Sequence, residues 1–97
     1  MKCIVVLPCF NEENNISDLI VNINNSLKDF IQYQIIVVND GSTDNTDTIL
    51  KELSQKYPLK ILKHHKNKGL AAALRTGLMA AVKYALNDDD FIVTMDA

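Results

Sequence analysis

The chain lacks any long hydrophobic run. Its 97 residues contain no tryptophan, two prolines and three glycines, and its first apolar run, Cys3–Leu7, is far too short to span a membrane. The amino terminus also lacks the basic lead and the small-residue cleavage site of a signal peptide. We therefore expect a cytoplasmic location, at the cytoplasmic face of a membrane if the full-length protein is attached to one.

An excess of basic charge is missing as well. Ten Lys and Arg residues stand against 12 Asp and Glu residues, which gives a formal net charge of −2. Nucleic-acid-binding domains concentrate basic and aromatic side chains on one face, and no such pattern is present. We therefore expect no nucleic-acid partner. The hydrophobic fraction of 47% is that of an ordinary globular chain, and the length limits it to one small domain.

The two cysteines cannot form a disulfide with each other. Cys3 and Cys9 stand at the two ends of a predicted strand, which would separate them by roughly 20 Å. A disulfide requires Cα atoms closer than about 7 Å. We expect both to be free thiols, as a reducing compartment would keep them.

Strand and helix patterns alternate along the chain. Strands are predicted at Cys3–Leu7 (ended by Pro8), Ile35–Val38, Leu59–Leu62 and Phe91–Met95. Amphipathic helices are predicted between them, with Asn11 as N-cap of the first and Ser42 or Thr43 as N-cap of the second. The order β-α-β-α-β-α-β predicts a three-layer α/β fold with a parallel sheet and right-handed crossovers.

The third helix is predicted over Leu70–Leu86 and is rich in alanine. Its expected buried stripe consists of Leu70, Leu74, Leu78, Ala81, Val82 and Ala85. The small residues would allow the helix to lie close to the sheet.

Parallel sheets bind ligands beyond the carboxyl ends of their strands. The segments at those ends are Pro8–Glu13, Asn39–Asp44, His64–Gly69 and Asp96. By contrast, Asp88–Asp90 precede the fourth strand, roughly 20 Å from Asp96, and are expected to form a solvated turn and no metal site.

Two aspartates at the carboxyl ends are candidate ligand contacts. Asp96 ends an apolar strand, where a carboxylate either caps a turn or meets a ligand. With a second carboxylate at i+2, it would form a hard-oxygen site for Mg²⁺ or Mn²⁺. Asp40 can accept the imide N–H of uracil or the N–H edge of guanine, support the Gly41–Ser42 turn, or do both.

Other polar residues have simpler interpretations. Glu12 and Glu13 complement a helix N-terminus. The free N–H groups of Lys68 and Gly69 could face a phosphate, although neither a Walker loop nor a Gly-x-Gly-x-x-Gly motif is present. The remaining polar candidates are Asn39, expected in a turn, His64 and His65, expected in a solvated loop without metal, and Arg75, expected on the surface.

Four segments, each after its own predicted strand, resemble the inverting nucleotide-sugar transferases of glycosyltransferase family 2, which have the GT-A fold. The segments are Val5–Asn14, Val37–Thr46, Asn67–Leu70 with Gly77, and Met95–Ala97. The resemblance covers residues 1–97 and implies the nucleotide-binding part of such a domain, truncated within its Asp-x-Asp motif. The stretches Gly69–Ala71 and Met95–Ala97 look most like the polyprenyl-phosphate glycosyltransferases, such as dolichyl-phosphate mannose synthases.

The resemblance implies a role for each site residue. The nucleoside pocket would be lined by Pro8, Cys9 and Phe10, with Phe10 beside the base. Asp40 would contact the base, and Glu12 would lie near the ribose. Gly69 would lie near the diphosphate, and Asp96 would hold metal and diphosphate. Relatives often have a Thr or Ala in place of Cys9. The strand order 3-2-1-4 is expected, because it brings Asp96 beside the Pro8 loop.

The implied reaction is transfer of a sugar from a UDP- or GDP-sugar to a glycan or polyprenyl-phosphate acceptor, with Mg²⁺ or Mn²⁺ in the complete domain. The catalytic base is expected beyond residue 97, so the 97-residue fragment is expected to be inactive. A sugar-1-phosphate nucleotidyltransferase would need a Gly-rich basic loop after the first strand, which is missing; a non-catalytic domain of the same fold stays possible. An exposed fourth strand predicts a homodimer through that edge.

Overall fold

The computed structural model describes residues 1–84 and 87–96, and its elements alternate as the sequence predicts. The strands are β1 (Lys2–Cys9), β2 (Gln32–Asp40), β3 (Leu59–His64) and β4 (Phe91–Thr94). The helices are α1 (Ile16–Leu27), α2 (Thr46–Leu53) and α3 (Leu70–Tyr84). All paired strands are parallel in the order β3-β2-β1-β4, which confirms the predicted α/β fold and strand order.

Strand β1 does not end at Pro8, as we expected from the sequence, but continues to Cys9. Pro8 pairs with Val38 of β2. The Val6 carbonyl accepts the Met95 N–H, so the backbone groups of Val6, and two residues later those of Pro8, point toward β4. Pairing with β4 ends at Val6 and Thr94. The missing N–H of Pro8 therefore costs no ladder bond.

The two faces of the sheet pack against different helices. Alternate residues of β1 and β2 join α1 and α2 in one core cluster, which includes Val5, Leu7, Ile35, Ile16, Ile20 and Leu50. The intervening residues Ile4, Val6 and Ile36 join Ala81 of α3 in a second cluster on the other face. Because both faces of β1 are covered, the strand is a continuous apolar run.

The predicted buried stripe of α3 is wrong in three of its five described members. Leu70, Leu78 and Val82 are exposed, whereas the residues that face the sheet are Ala73, Gly77 and Ala81. A side chain at Gly77 would overlap the Cγ1 atom of Val6, so only small residues allow this helix to lie so close to β1. The close approach is confirmed. Residues 85 and 86 of the predicted helix, with Ala85 of the predicted stripe, lie outside the described residues, as does Ala97.

Both predicted helix caps are also wrong. Helix α1 begins at Ile16 after Asn15, and Asn11 instead adopts a positive φ of 52° in the preceding loop. Helix α2 begins at Thr46, whose N–H is accepted by the Asp44 carboxylate, so neither Ser42 nor Thr43 caps it.

Strand β4 lies at the edge of the sheet. Its Phe91 and Val93 side chains are exposed, and with α1 they line an apolar groove of about 280 Å³. Asp88 and Asp89 before it are exposed, in keeping with the expected turn. Self-association through this edge stays a prediction. No helix within residues 1–84 and 87–96 is long and apolar enough to cross a membrane.

Candidate functional site

One cleft of about 390 Å³ lies beyond the carboxyl ends of the strands. It is lined by Pro8, Cys9, Phe10, Glu12, Asp40, Asn67, Gly69, Leu70, Ala73 and Asp96. All seven site residues predicted from the sequence are among them, although they come from four separate segments. Asp96 reaches the cleft because Met95 hydrogen-bonds to Val6 and so continues the chain alongside β1.

The loops after β1 and β2 are joined at Asn11. Its side-chain oxygen accepts the Thr43 N–H at 2.8 Å, and its own N–H donates to the Ser42 hydroxyl at 2.9 Å. The positive φ of Asn11 turns the chain toward the second loop, and Asn tolerates this conformation better than most residues. Phe10 and Glu12, the neighbours of Asn11, are thereby held at the cleft.

A second group of contacts joins the same loops. The Glu12 N–H donates to the Thr46 hydroxyl, the Glu13 N–H donates to the Asp44 carboxylate, and the Glu13 carboxylate accepts the Asn45 N–H. Burial alone would raise the pKa of Asp44, but hydrogen bonds from the Thr46 hydroxyl and from the Thr46 and Glu13 N–H groups lower it below its ordinary value. The two loops therefore form one hydrogen-bonded unit around the cleft.

Asp40 does not support the Gly41–Ser42 turn, which was one of its expected roles. Neighbouring Asn39, which we expected in that turn, lies instead in β2 and is fully buried, but its side-chain oxygen accepts the Ser42 N–H and so supports the turn. The Asp40 carboxylate instead accepts the Lys68 N–H through Oδ1 and the Gly69 N–H through Oδ2, both at 2.9 Å. These N–H groups are therefore not free to face a phosphate.

His64 lies in β3 and is buried, and the expectation of a solvated loop for it was wrong. Its Nδ1 atom lies 2.7 Å from Asp40 Oδ1 and its Nε2 atom 2.9 Å from Thr76 Oγ1. Extending the predicted strand two residues beyond Leu62 would have predicted that His64 is buried. Leu62 packs against the α3 face of the sheet, and in a strand the residue two positions later faces the same side. His65, in contrast, is exposed, and Arg75 is exposed as expected.

Burial raises the pKa of the Asp40 carboxyl, but the hydrogen bond from His64 and those from the Lys68 and Gly69 N–H groups outweigh burial and lower it below its ordinary value. Asp40 is therefore ionised at neutral pH and accepts hydrogen bonds only. Oδ1 has two donors and Oδ2 has one, so Oδ2 keeps a lone pair for another donor.

Cys9 is a buried wall of the cleft. Burial, together with the nearby charges of Glu12 and Asp44, raises the pKa of its thiol to about 12. The thiol is thus neutral at physiological pH and is a poor nucleophile. Both cysteines are free, as expected.

Asp96 follows β4, and its exposed side chain lines one end of the cleft. Hard divalent cations require several oxygen ligands. Within residues 1–84 and 87–96, no group of three or more His, Cys, Asp or Glu side chains could hold a metal ion. These residues therefore do not fit a complete metal site, and Asp96 alone could supply one ligand.

Sequence comparison identifies a family that matches almost the whole chain. Residues 4–97 match Glycosyl transferase family 2. Among curated relatives, a dolichol-phosphate mannosyltransferase of Pyrococcus furiosus is 39% identical over the entire chain. A UDP-N-acetylglucosamine–dolichyl-phosphate N-acetylglucosaminyltransferase of Methanococcus voltae is 34% identical over 96% of the chain. The chain spans 26% and 39% of the lengths of these two relatives.

Solved structures share the fold. A mannosyltransferase of Pyrobaculum calidifontis, solved in complex with GDP-Man and Mn²⁺, superposes with a TM-score of 0.75 at 25% identity, over 97% of this chain and 26% of the other. The S. aureus TarS structure superposes with a TM-score of 0.78 at 28% identity, over 99% of this chain and 16% of the other.

Proposed function

Because the chain belongs to glycosyl transferase family 2, we propose that it forms the donor-binding part of an enzyme that transfers a sugar from a UDP- or GDP-sugar to an acceptor. One observation carries the proposal: four separate segments of the chain bring all seven expected site residues to a single cleft at the carboxyl ends of the strands. The architecture supports the proposal, since parallel sheets bind nucleotides at this edge.

The nucleoside contacts would come from the β1 and β2 ends. Phe10 is 43% exposed at the cleft, so its ring offers a face on which a base can stack. Asp40 Oδ2 retains a lone pair that would accept the imide N–H of uracil or the N1–H of guanine. Pro8 and Cys9 form the wall behind the base, and Glu12 would accept a ribose hydroxyl.

The diphosphate would lie near Gly69 and the start of α3. The Gly69 N–H is held by Asp40, so the amides available to a phosphate are those at the first turn of the helix, which begins at Leu70. The positive end of the helix macrodipole also favours an anion there. Exposed Lys68 adds a positive charge to the same turn.

The metal would be held only in part by this chain. We propose Asp96 as one ligand of a Mg²⁺ or Mn²⁺ ion, and the Mn²⁺ in the Pyrobaculum mannosyltransferase supports a divalent cation in related enzymes. Because the described residues do not form a complete site, we assign no step of the reaction to the ion.

The reaction would be a single displacement at the anomeric carbon, with inversion. The acceptor attacks either through a hydroxyl that a base deprotonates or through a phosphate that is already ionised. The relatives are several-fold longer than this chain, so we propose that the base and the acceptor contacts lie beyond residue 97. The names of the Pyrococcus and Methanococcus relatives support a polyprenyl-phosphate acceptor. Because such an acceptor is a lipid, we propose that transfer takes place at the cytoplasmic face of a membrane.

Transfer assays on the polypeptide that contains this chain would test the proposal. GDP-mannose and UDP-N-acetylglucosamine would be supplied with dolichyl phosphate, and labelled lipid would be measured. We expect Asp96→Asn to lower transfer roughly hundredfold, since an amide oxygen is a much weaker ligand than a carboxylate for the divalent cation that Asp96 would help to hold. Asp88→Asn, at the opposite end of β4, is the matched control and should leave transfer unchanged. Equal activity of the two variants would contradict the role of Asp96.

A further inference from the structure

Three side chains form a hydrogen-bonded row beneath the cleft. Thr76 of α3 contacts His64 of β3, and His64 contacts Asp40 of β2. The His64 and Asp40 side chains are only 9% and 4% exposed. The row therefore connects three elements that are distant in sequence, in a region shielded from water.

The direction of the hydrogen bonds follows from the charge on Asp40. Its carboxylate is ionised and can only accept, so His64 Nδ1 must carry a hydrogen and donate it. In the neutral imidazole Nε2 is then the acceptor, and the Thr76 hydroxyl donates to it. Both ring nitrogens thus have a partner.

Asp40 connects this row of hydrogen bonds to the edge of the cleft. Its two oxygens hold the consecutive N–H groups of Lys68 and Gly69, and Asn67 and Gly69 line the cleft. The residues just before this turn lie tight against Gly41, which follows β2, because a side chain at Gly41 would overlap the backbone of Lys66 and Asn67. A rotation of the carboxylate would release both N–H groups and move the turn.

We propose that His64 is a positioning residue for nucleotide binding: it fixes the orientation of the Asp40 carboxylate and, through it, the turn at Lys68–Gly69. This inference rests on the proposed function, since it assumes that the cleft binds the nucleotide. His64 itself does not line the cleft, and it acts through Asp40.

Two amide substitutions separate the two hydrogen bonds of His64. In His64→Asn the side-chain amide occupies the place of Nδ1 and can still donate to Asp40. In His64→Gln the amide reaches the place of Nε2, so the contact with Thr76 is kept and the donor to Asp40 is lost. Both replacements are polar and differ by one methylene, which makes each the control for the other.

Nucleotide affinity of the 97-residue chain would be measured by chemical-shift titration with UDP and GDP, which follows weak binding. We expect His64→Asn to bind within about threefold of the wild type and His64→Gln to bind at least about tenfold more weakly, because hydrogen bonds to charged groups are among the strong ones. In His64→Gln the free-state amide signals of Lys68 and Gly69 should also shift, whereas those of α1 should not.

The nitrogen chemical shifts of the His64 ring show which nitrogen carries the hydrogen, and a residue that only fills space would not require one tautomer. In the wild type, Nδ1 of His64 should be the protonated nitrogen, and the opposite tautomer would overturn the proposal. Equal affinities of His64→Asn and His64→Gln would also overturn it. If either variant fails to fold, Thr76→Val is measured instead. This variant should broaden or shift the Nε2 signal of His64 and weaken nucleotide binding less than tenfold. An unchanged ring signal of His64 would count against the hydrogen-bonded row of Thr76, His64 and Asp40.

Different results would contradict the positioning role of His64 and the proposed function. A wild-type chain whose cleft amides do not respond to either nucleotide would overturn the proposed function and the inference with it. A wild type that binds, together with both His64 variants binding equally well, would leave the proposed function standing and overturn the inference alone.

Discussion

Gly41 and Gly69 both have a positive φ, but a side chain would meet different surroundings at the two positions. At Gly41, with a φ of 71°, a Cβ atom would overlap the backbone of Lys66 and Asn67. At Gly69, with a φ of 95°, no atom lies within 4 Å of that position. The two glycines therefore form a matched pair that separates backbone strain from steric overlap.

We predict that Gly41→Ala destabilises the chain more than Gly69→Ala does. Gly69→Ala should lower the free energy of unfolding by about 1–2 kcal/mol, the cost of a non-glycine residue in the left-handed region. Gly41→Ala should cost more, because the backbone of the 66–67 segment must also move. Urea unfolding of both variants gives the comparison, and equal losses would contradict the tight contact between this segment and Gly41.

At the scale of single residues, seven of the ten residues that line the cleft were predicted from the sequence, but not all of their contacts. Asp40 and Asp96 stood out because each follows an apolar run predicted to be a strand, where a carboxylate needs a partner. The partners of Asp40 were not predictable, since Lys68 and His64 lie 28 and 24 residues away. Only the packing of β2 between β1 and β3 brings those groups together.

At the scale of elements, the packing of α3 depends on its smallest residues. Helical periodicity favoured a leucine-containing stripe, but the sheet selects Ala73, Gly77 and Ala81, because the helix lies against both β1 and β2. A periodicity argument weights large apolar residues, whereas close approach requires the absence of side-chain volume. Strands β1, β2 and β3 are also longer than predicted, since pairing extends β2, for example, into polar residues such as Asp40, whereas β4 ends one residue earlier than predicted.

We predict that Gly77→Ala destabilises the chain, although alanine is the better helix former. The methyl group would overlap Val6, and overpacking a core costs about 1–3 kcal/mol, whereas the gain in helix propensity is at most about 1 kcal/mol. In a Val6→Ala background the overlapping atom is gone, so Gly77→Ala should be neutral or stabilising there. Denaturant unfolding of the four proteins completes the cycle. A stabilised Gly77→Ala single variant would contradict the contact.

At the scale of the whole molecule, the alternation of strands and helices was sufficient to predict the fold. The fold in turn predicted that the polar segments lie at the carboxyl ends of the strands. The joining of the first two loops was not predictable, because the hydrogen bonds of Asn11 to Ser42 and Thr43 cross 31 and 32 residues. These bonds connect the base side of the cleft to the β2 end. The cleft is therefore held in place by the fold before any ligand binds.

We propose that this cleft binds the nucleotide of a sugar donor. The direct test is a chemical-shift titration of the labelled chain with UDP and GDP, with and without Mg²⁺. We expect saturable shifts at Phe10, Glu12 and Gly69, with weak affinity that Mg²⁺ changes only slightly, because Asp96 is one ligand and a stable site needs several. Shifts confined to the apolar groove between α1 and β4, or sub-micromolar binding that strictly requires the metal, would contradict it.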